Sequence, residues 1–312
     1  MIPNKYLPEG SLLKTYENME YISSLQGLER AMQEGKILEA VALVCDNDTH
    51  TLHLNLNGID GIIEREESML DDEIKDVAII TRGGKSVCFK VLEITKNENG
   101  SPLVRLSRKE AQKECVKSYL GDLIAGDIIP AKVTHLEPFG AFVDIGCGIN
   151  SLLSVDNISI SRIPHPRERF SVREEIDVIV KSIDYESGRV YVTVRELLGT
   201  WEENASKFSP GQTVSGLVRS VEDYGIFVEL APNLAGLAEI KEGVSAGQSC
   251  AVYIKSIIPE KMKIKLVIID TYDPPLAKKP LEFFVDTKTV LHIDSWHYSP
   301  KSSKRVIETI FK

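Results

Sequence analysis

The sequence predicts an all-β chain with linking helices: three small five-stranded barrels in tandem, the first of them degenerate. Three observations predict it. The segment EPFGAFVDI at 137–145 returns 85 residues later as EDYGIFVEL at 222–230. Each copy sits among short period-two runs separated by glycine-rich turns, which is how half-buried strands of a closed sheet read. At the junctions the period changes to helical spacing, so the barrels follow one another as separate modules.

Taken in order, residues 1–34 form an N-terminal arm, in which Ile22, Leu25, Leu28 and Met32 fall near 3.6-residue spacing and predict a helix. The first barrel and its linker helix cover 35–121. GKILEAVALV opens it, GIDGIIEREE resembles the turn after a second strand, and VCFKVLEIT and LVRLSRKEA supply the last two strands. THTLHLNL stands where the aromatic-glycine segment belongs, so the fold signal is kept and the ring signal is lost. SRKEAQKECVKSYLGD is the linker helix. The second barrel covers 122–199.

RELLGTWEENASKFSPG predicts the next helix, stopped by Pro210 and Gly211, with Trp201 plugging it against a barrel end. The third barrel, with this helix, covers 200–270. Gly126, Val133, Phe139, Gly140 and Phe142 match Gly211, Val218, Tyr224, Gly225 and Phe227 at the offset of 85; VIVKSID at 178–184 then meets VYIKSII at 252–258 at an offset of 74. The third copy has lost loop residues and kept its strands. Residues 271–312 alternate enough for two or three short strands and are expected to pack on the last barrel. The alternative is that His292, Trp296 or Tyr298 extends a ligand surface.

Side-chain parity locates the faces. In FVDIG, Val143 and Ile145 point inward while Phe142 and Asp144 point outward, on the premise that a carboxylate marks the wet face. Val228 and Leu230 against Phe227 and Glu229 repeat the pattern. A bulge or sharp coil is easily made at Gly140 and Gly225, and such a bulge is expected to bring Phe139 and Tyr224 onto the same outer face. In GRVYVTVRE, Val190, Val192 and Val194 point in, leaving Arg189, Tyr191, Thr193 and Arg195 outside. In KMKIKLVI, Ile264, Leu266 and Ile268 point in, with Lys263 and Lys265 outside. Lys181 and Lys255 face out by the same parity. Rings bordered by cations suit single-stranded nucleic acid: bases stack on the rings and cations follow the phosphates.

The charge balance sets limits. The 312-residue chain carries a formal net charge of −9, so nucleic acid is held by a local stripe on an acidic body and not by bulk attraction. Five dispersed cysteines without a CxxC pair, and no apolar leader or long apolar run, point to a reducing cytoplasm and no membrane. HIDSWH lacks a matching ligand set, so no metal is expected, and no cofactor.

GDIIPAKVTHLEPFGAFVDIG, SLLSVDNIS and VIVKSIDYESGRVYVTVRE resemble the S1 RNA-binding domain family, modules with the five-stranded OB fold. The third copy is similar, and the first, with its trailing LSRKEA, resembles degenerate members. The resemblance implies an RNA site made by two strand-two aromatics, a strand-three histidine, and an Asp and an Arg around the turn into strand five. The second copy keeps Phe139, Phe142, Asp184 and Arg189 but has Ser154 for the histidine. The third keeps Tyr224 and Phe227, with Lys263 for the arginine, Ile258 for the Asp and Glu239 for the histidine. The expected RNA-binding set is therefore Phe139, Phe142, Lys181, Asp184, Arg189, Arg195, Tyr224, Phe227, Lys255, Lys263 and Lys265, with the second barrel the stronger binder.

A monomeric, non-catalytic protein of the bacterial cytoplasm is implied, holding single-stranded mRNA in translation, with the small ribosomal subunit as a further partner. No phosphate-cradling GxxxxGK[ST] appears, and subtracting three barrels leaves too little chain for a catalytic domain. The competing readings are an accessory of RNA processing or decay, and a protein-interaction scaffold built from drifted barrels.

Overall fold

A computed structural model describes residues 6–70, 84–273 and 281–312. The repeat of sequence is a repeat of topology. Barrel 1 comprises β1 (Leu38–Cys45), β2 (Leu52–Leu56), β3 (Ile59–Ile63), β4 (Ser86–Lys96) and β5 (Pro102–Ser107). Barrel 2 comprises β6 (Ile128–Glu137), β7 (Gly140–Asp144), β8 (Asn150–Ser154), β9 (Glu175–Asp184) and β10 (Arg189–Thr193). Barrel 3 comprises β11 (Thr213–Glu222), β12 (Gly225–Ala231), β13 (Leu234–Ala238), β14 (Ser249–Ile258) and β15 (Lys263–Tyr272). Each closes in the same order, first, second, third, fifth, fourth and back to the first. Third and fifth strands run parallel in every barrel. Closure pairs every strand on both sides and leaves no free sheet edge.

Alternation drives these strands. In β2, Leu52, Leu54 and Leu56 are buried while His53 and Asn55 are exposed. In β15, Ile264, Leu266 and Ile268 line the interior and Lys263 and Lys265 face solvent, as parity predicts. The helices depend on caps. The expected single helix across Ile22 to Met32 is two, α1 (Tyr16–Ile22) and α2 (Leu25–Glu34), because the Ser24 side chain accepts from Gly27 N–H and starts a new helix. α2 ends at Gly35, whose φ of +64° favours glycine. Leu28 is fully buried, but Met32 is exposed. α3 (Arg108–Ser118) is capped by Ser107, and α4 (Trp201–Ala205) by a Thr200–Glu203 capping box. Trp201 lies in the barrel 3 core, beside Val218, Val252 and Leu266. Among the described residues no helix is long and apolar enough to cross a membrane.

The chain forms two compact units. One takes residues 1–123, 130–132 and 144–150. Its apolar core joins Tyr21, Leu28 and Ala31 of the arm to Leu38, Leu54, Phe89 and Leu106 of barrel 1. Its polar centre is a buried ion pair: Arg108 Nε donates to Glu9 Oε1 at 2.6 Å and Nη2 to Oε2 at 3.2 Å. The remaining guanidinium donors reach the carbonyls of Ser68 and Gly148. Burial works to raise the Glu9 carboxyl, but the Arg108 and Lys85 cations outweigh it and hold it at about 2. Asp144 accepts from the backbone N–H groups of Glu9, Gly146 and Gly148. It does point away from the barrel interior, yet the arm covers it, so a carboxylate does not mark the wet face at this position. Burial, then the Glu9 charge, pushes Asp144 up to about 6. Glu39, also buried, is pushed up to about 7, first by burial and then by Glu9, although Oε2 accepts from the N–H groups of Gly10, Leu12 and Leu13.

The other unit takes residues 124–129, 133–143 and 151–312. Here Glu229, expected outside, is buried by the loop before β9: Arg169 Nη2 donates to both of its oxygens at 2.7 and 2.8 Å, and Arg219 Nε donates to Oε2 at 2.7 Å. Arg219 also pairs with Glu168. Asn233, fully buried, accepts from Ile160 N–H and donates to the carbonyls of Arg195 and Gly199. Its own carbonyl accepts from Tyr298 O–H. Of the C-terminal segment, β16 (Ser295–His297) and β17 (Glu308–Ile310) pair antiparallel. Trp296 and Tyr298 sit in the barrel 3 core cluster, while Phe283, Val285, Ile293 and Phe311 cluster with Ile128, Ile179 and Leu197 of barrel 2. His292 is half-buried and hydrogen-bonded to Asp127. Thr193, expected outside, is buried, its hydroxyl held by Asn157 O and Glu196.

Candidate nucleic-acid interface

Each ring pair is built at a hairpin. Phe139 and Tyr224 occupy the tight turns before β7 and β12, and Phe142 and Phe227 follow on the strands. Ring centroids lie 6.0 Å apart at 89° for Phe139–Phe142 and 6.1 Å apart at 88° for Tyr224–Phe227. The pairs thus share one geometry. Phe139 and Tyr224 are 56% and 70% exposed, and their partners Phe142 and Phe227 are half-buried.

In barrel 3 the expected bulge at Gly225 is not what brings the rings together. In barrel 3 the ladder is continuous from Glu222–Gly225 to Ser220–Phe227, and the register shifts between Val218 and Ser220. The glycines answer to a close approach. A Cβ on Gly140 would lie 2.5 Å from Leu153 O, and one on Gly225 2.7 Å from Ala238 O. Only glycine lets the ring-bearing strand lie this near its neighbour.

The cations differ in exposure and in partners. Arg189, Lys263 and Lys265 are exposed. Lys181 is exposed and donates to Asn157 Oδ1 at 3.0 Å. Lys255 lies 3.4 Å from Glu239, an exposed pair whose attraction is weakened by solvent. Arg195 departs from the outward cation that parity predicts: it is half-buried, and donates to Glu196, Thr309 Oγ1 and the Asp156 carbonyl. It begins a 3₁₀ turn after β10, which ends the strand alternation.

Asp184 is bonded within its own turn, accepting from Ser187 Oγ at 2.6 Å and from the N–H groups of Glu186 and Ser187. Those bonds, the Ser187 hydroxyl first, hold its carboxyl below the usual range. It shapes the turn that sets Arg189 opposite it in the ladder.

In barrel 3 the ladder places Ser220, Phe227, Leu237 and Lys265 in one row across four strands. The equivalent row of barrel 2 ends Leu152–Tyr191, so an aromatic replaces the lysine. At the turn, Ile258 stands opposite Lys263 where barrel 2 has Asp184 and Arg189. Barrel 2 therefore presents more ring surface, and barrel 3 more lysine together with the Glu239 carboxylate.

Residues 122–195 match the S1 RNA binding domain family. The S1 match spans all five strands of barrel 2. Curated relatives extend the likeness. The small ribosomal subunit protein bS1 of Staphylococcus haemolyticus is 33% identical over 210 residues, 63% of this chain and 53% of that one. Its counterpart in Staphylococcus aureus strain COL is 30% identical over 232 residues, 68% of this chain and 59% of that one. The chain spans about half the length of the curated relatives it matches.

Sequence reasoning missed His135. Alternation from Val133 sends it inward, yet it is exposed and its ring lies 6.4 Å from Phe142 at 34°. In barrel 3 the register shift falls between Val218 and Ser220, the equivalents of Val133 and His135. An odd residue there inverts parity, a change invisible in a pattern of apolar residues.

Proposed function

We propose that this protein binds single-stranded RNA without catalysis, with barrel 2 as the main site and barrel 3 as an auxiliary one. It acts as an mRNA-holding translation factor on the small ribosomal subunit, in the bacterial cytoplasm and as a monomer. The observation that carries the reading is the Phe139–Phe142 pair on a barrel that also exposes Lys181 and Arg189, repeated at Tyr224–Phe227 on a barrel that exposes Lys263 and Lys265. Stacking contributes ~1–3 kcal/mol per base, and the cations add a salt-sensitive attraction to the phosphates. Both ring pairs belong to one compact unit, so a strand held by one raises its effective concentration at the other. The names of the matched relatives support the ribosomal part of the reading.

The test is a titration of fluorescein-labelled single-stranded RNA with the full chain at low salt. Replacing Phe139 and Phe142 together with Ala should weaken binding by about 10-fold or more. The affinity should fall with salt at ~0.7 log units per log salt for each phosphate neutralised. Absence of binding by the unaltered chain sinks the reading, and dose-dependent cleavage of RNA in magnesium would overturn its non-catalytic part. Co-sedimentation with small ribosomal subunits checks the association. A protein-contact role for barrel 3 is favoured by Glu239 and Ile258 on its face; Tyr224→Ala with Phe227→Ala would then leave RNA affinity unchanged.

A further inference from the structure

We propose that His135 is a third base-stacking ring of barrel 2, supplied by the first strand where this chain has no strand-three imidazole. The inference rests on the RNA reading and adds a contact to it. His135 stands on β6 beside Phe142, with centroids 6.4 Å apart, and Phe142 stands 6.0 Å from Phe139. The three rings make a continuous run from the first strand to the hairpin turn. Ser154, at the strand-three position, supplies no ring.

The imidazole is held but not covered. Its Nε2–H donates to Glu137 Oε1 at 2.6 Å, which fixes one edge of the ring. The side chain is nevertheless 62% exposed, so it adds little to the barrel core. A ring fixed at its edge and still largely exposed loses little conformational freedom when a base stacks on it. The ligand class is a nucleobase of a single strand, taken with little sequence preference because every base has a π face. Barrel 3 has Ser220 at the equivalent position, so the third ring belongs to barrel 2 alone.

The experiment compares the full chain with His135→Ala, His135→Phe and the Phe139→Ala/Phe142→Ala double variant, titrated into a labelled 12-nucleotide oligoadenylate at low salt. Circular dichroism and urea midpoints confirm that each variant is folded. His135→Ala should weaken binding ~5- to 100-fold with an unchanged salt slope, because a base and not a phosphate is lost. His135→Phe should stay within about threefold of the unaltered chain, since it keeps the ring. The inference is overturned if His135→Ala binds within twofold while the double variant loses affinity, or if His135→Phe loses as much as His135→Ala. If the unaltered chain does not bind, the RNA reading itself fails, and this contact with it.

Discussion

Replacing Glu39 with Gln tests the polar centre of the N-terminal unit. Glu39 is buried, its Oε2 accepts three backbone N–H bonds from the arm, and its Oε1 has no partner. Burial and the Glu9 charge raise its carboxyl from 4.5 to about 7. Between those values the folded chain binds this proton and the unfolded chain does not. The protonated acid therefore contributes stability that is present at or below pH ~4.5 and lost as pH rises through about 7. At ~1.4 kcal/mol per pH unit, the loss across the window is ~3 kcal/mol. Gln keeps an oxygen for the N–H donors and carries no charge, so Glu39→Gln should gain about that much on the parent between pH 5 and 8. Glu9 and Asp144 titrate in both chains and largely cancel in the difference. Both tryptophans, Trp201 and Trp296, lie in the other unit. Urea unfolding followed by far-ultraviolet dichroism reports both units, and tryptophan fluorescence serves as the internal control. A difference between variant and parent that is constant from pH 5 to 8 would refute the reasoning.

Three further variants test the C-terminal unit by urea unfolding. Glu229→Ala strands the buried guanidinium of Arg169 and should cost ~3–5 kcal/mol, whereas Arg169→Met combined with Glu229→Leu should cost less, since no charge is left without a partner. A double variant as damaging as the single one would contradict this. Trp201→Ala empties a large volume in the barrel 3 core and should cost ~3–5 kcal/mol, read from Trp296 fluorescence. A cost under 1 kcal/mol would show that the plug is dispensable.

Much of the candidate site was legible in the repeat. Two copies of aromatic-Gly-x-Phe at one offset pointed to ring pairs, and the structure places both pairs in one geometry. The lysines of β15 follow strict alternation and stand where parity puts them. Parity failed where something other than water covers a face. Asp144 and Glu229 do point away from their barrels, but the arm covers one and the loop carrying Arg169 covers the other. It failed at Arg195 because a 3₁₀ turn ends the strand there, and it was silent on His135, whose counterpart Ser220 follows a register shift in barrel 3.

The sequence by itself determined that the chain contains barrels, how many there are, and which residues fill them, because a two-residue period and its glycine punctuation are local properties of strands. Only the tertiary structure decided what lies against the outside of each barrel. Which carboxylates are buried, which cations are free and which rings meet depend on segments distant in sequence, and a strand's own pattern separates interior from exterior without distinguishing solvent from another part of the protein.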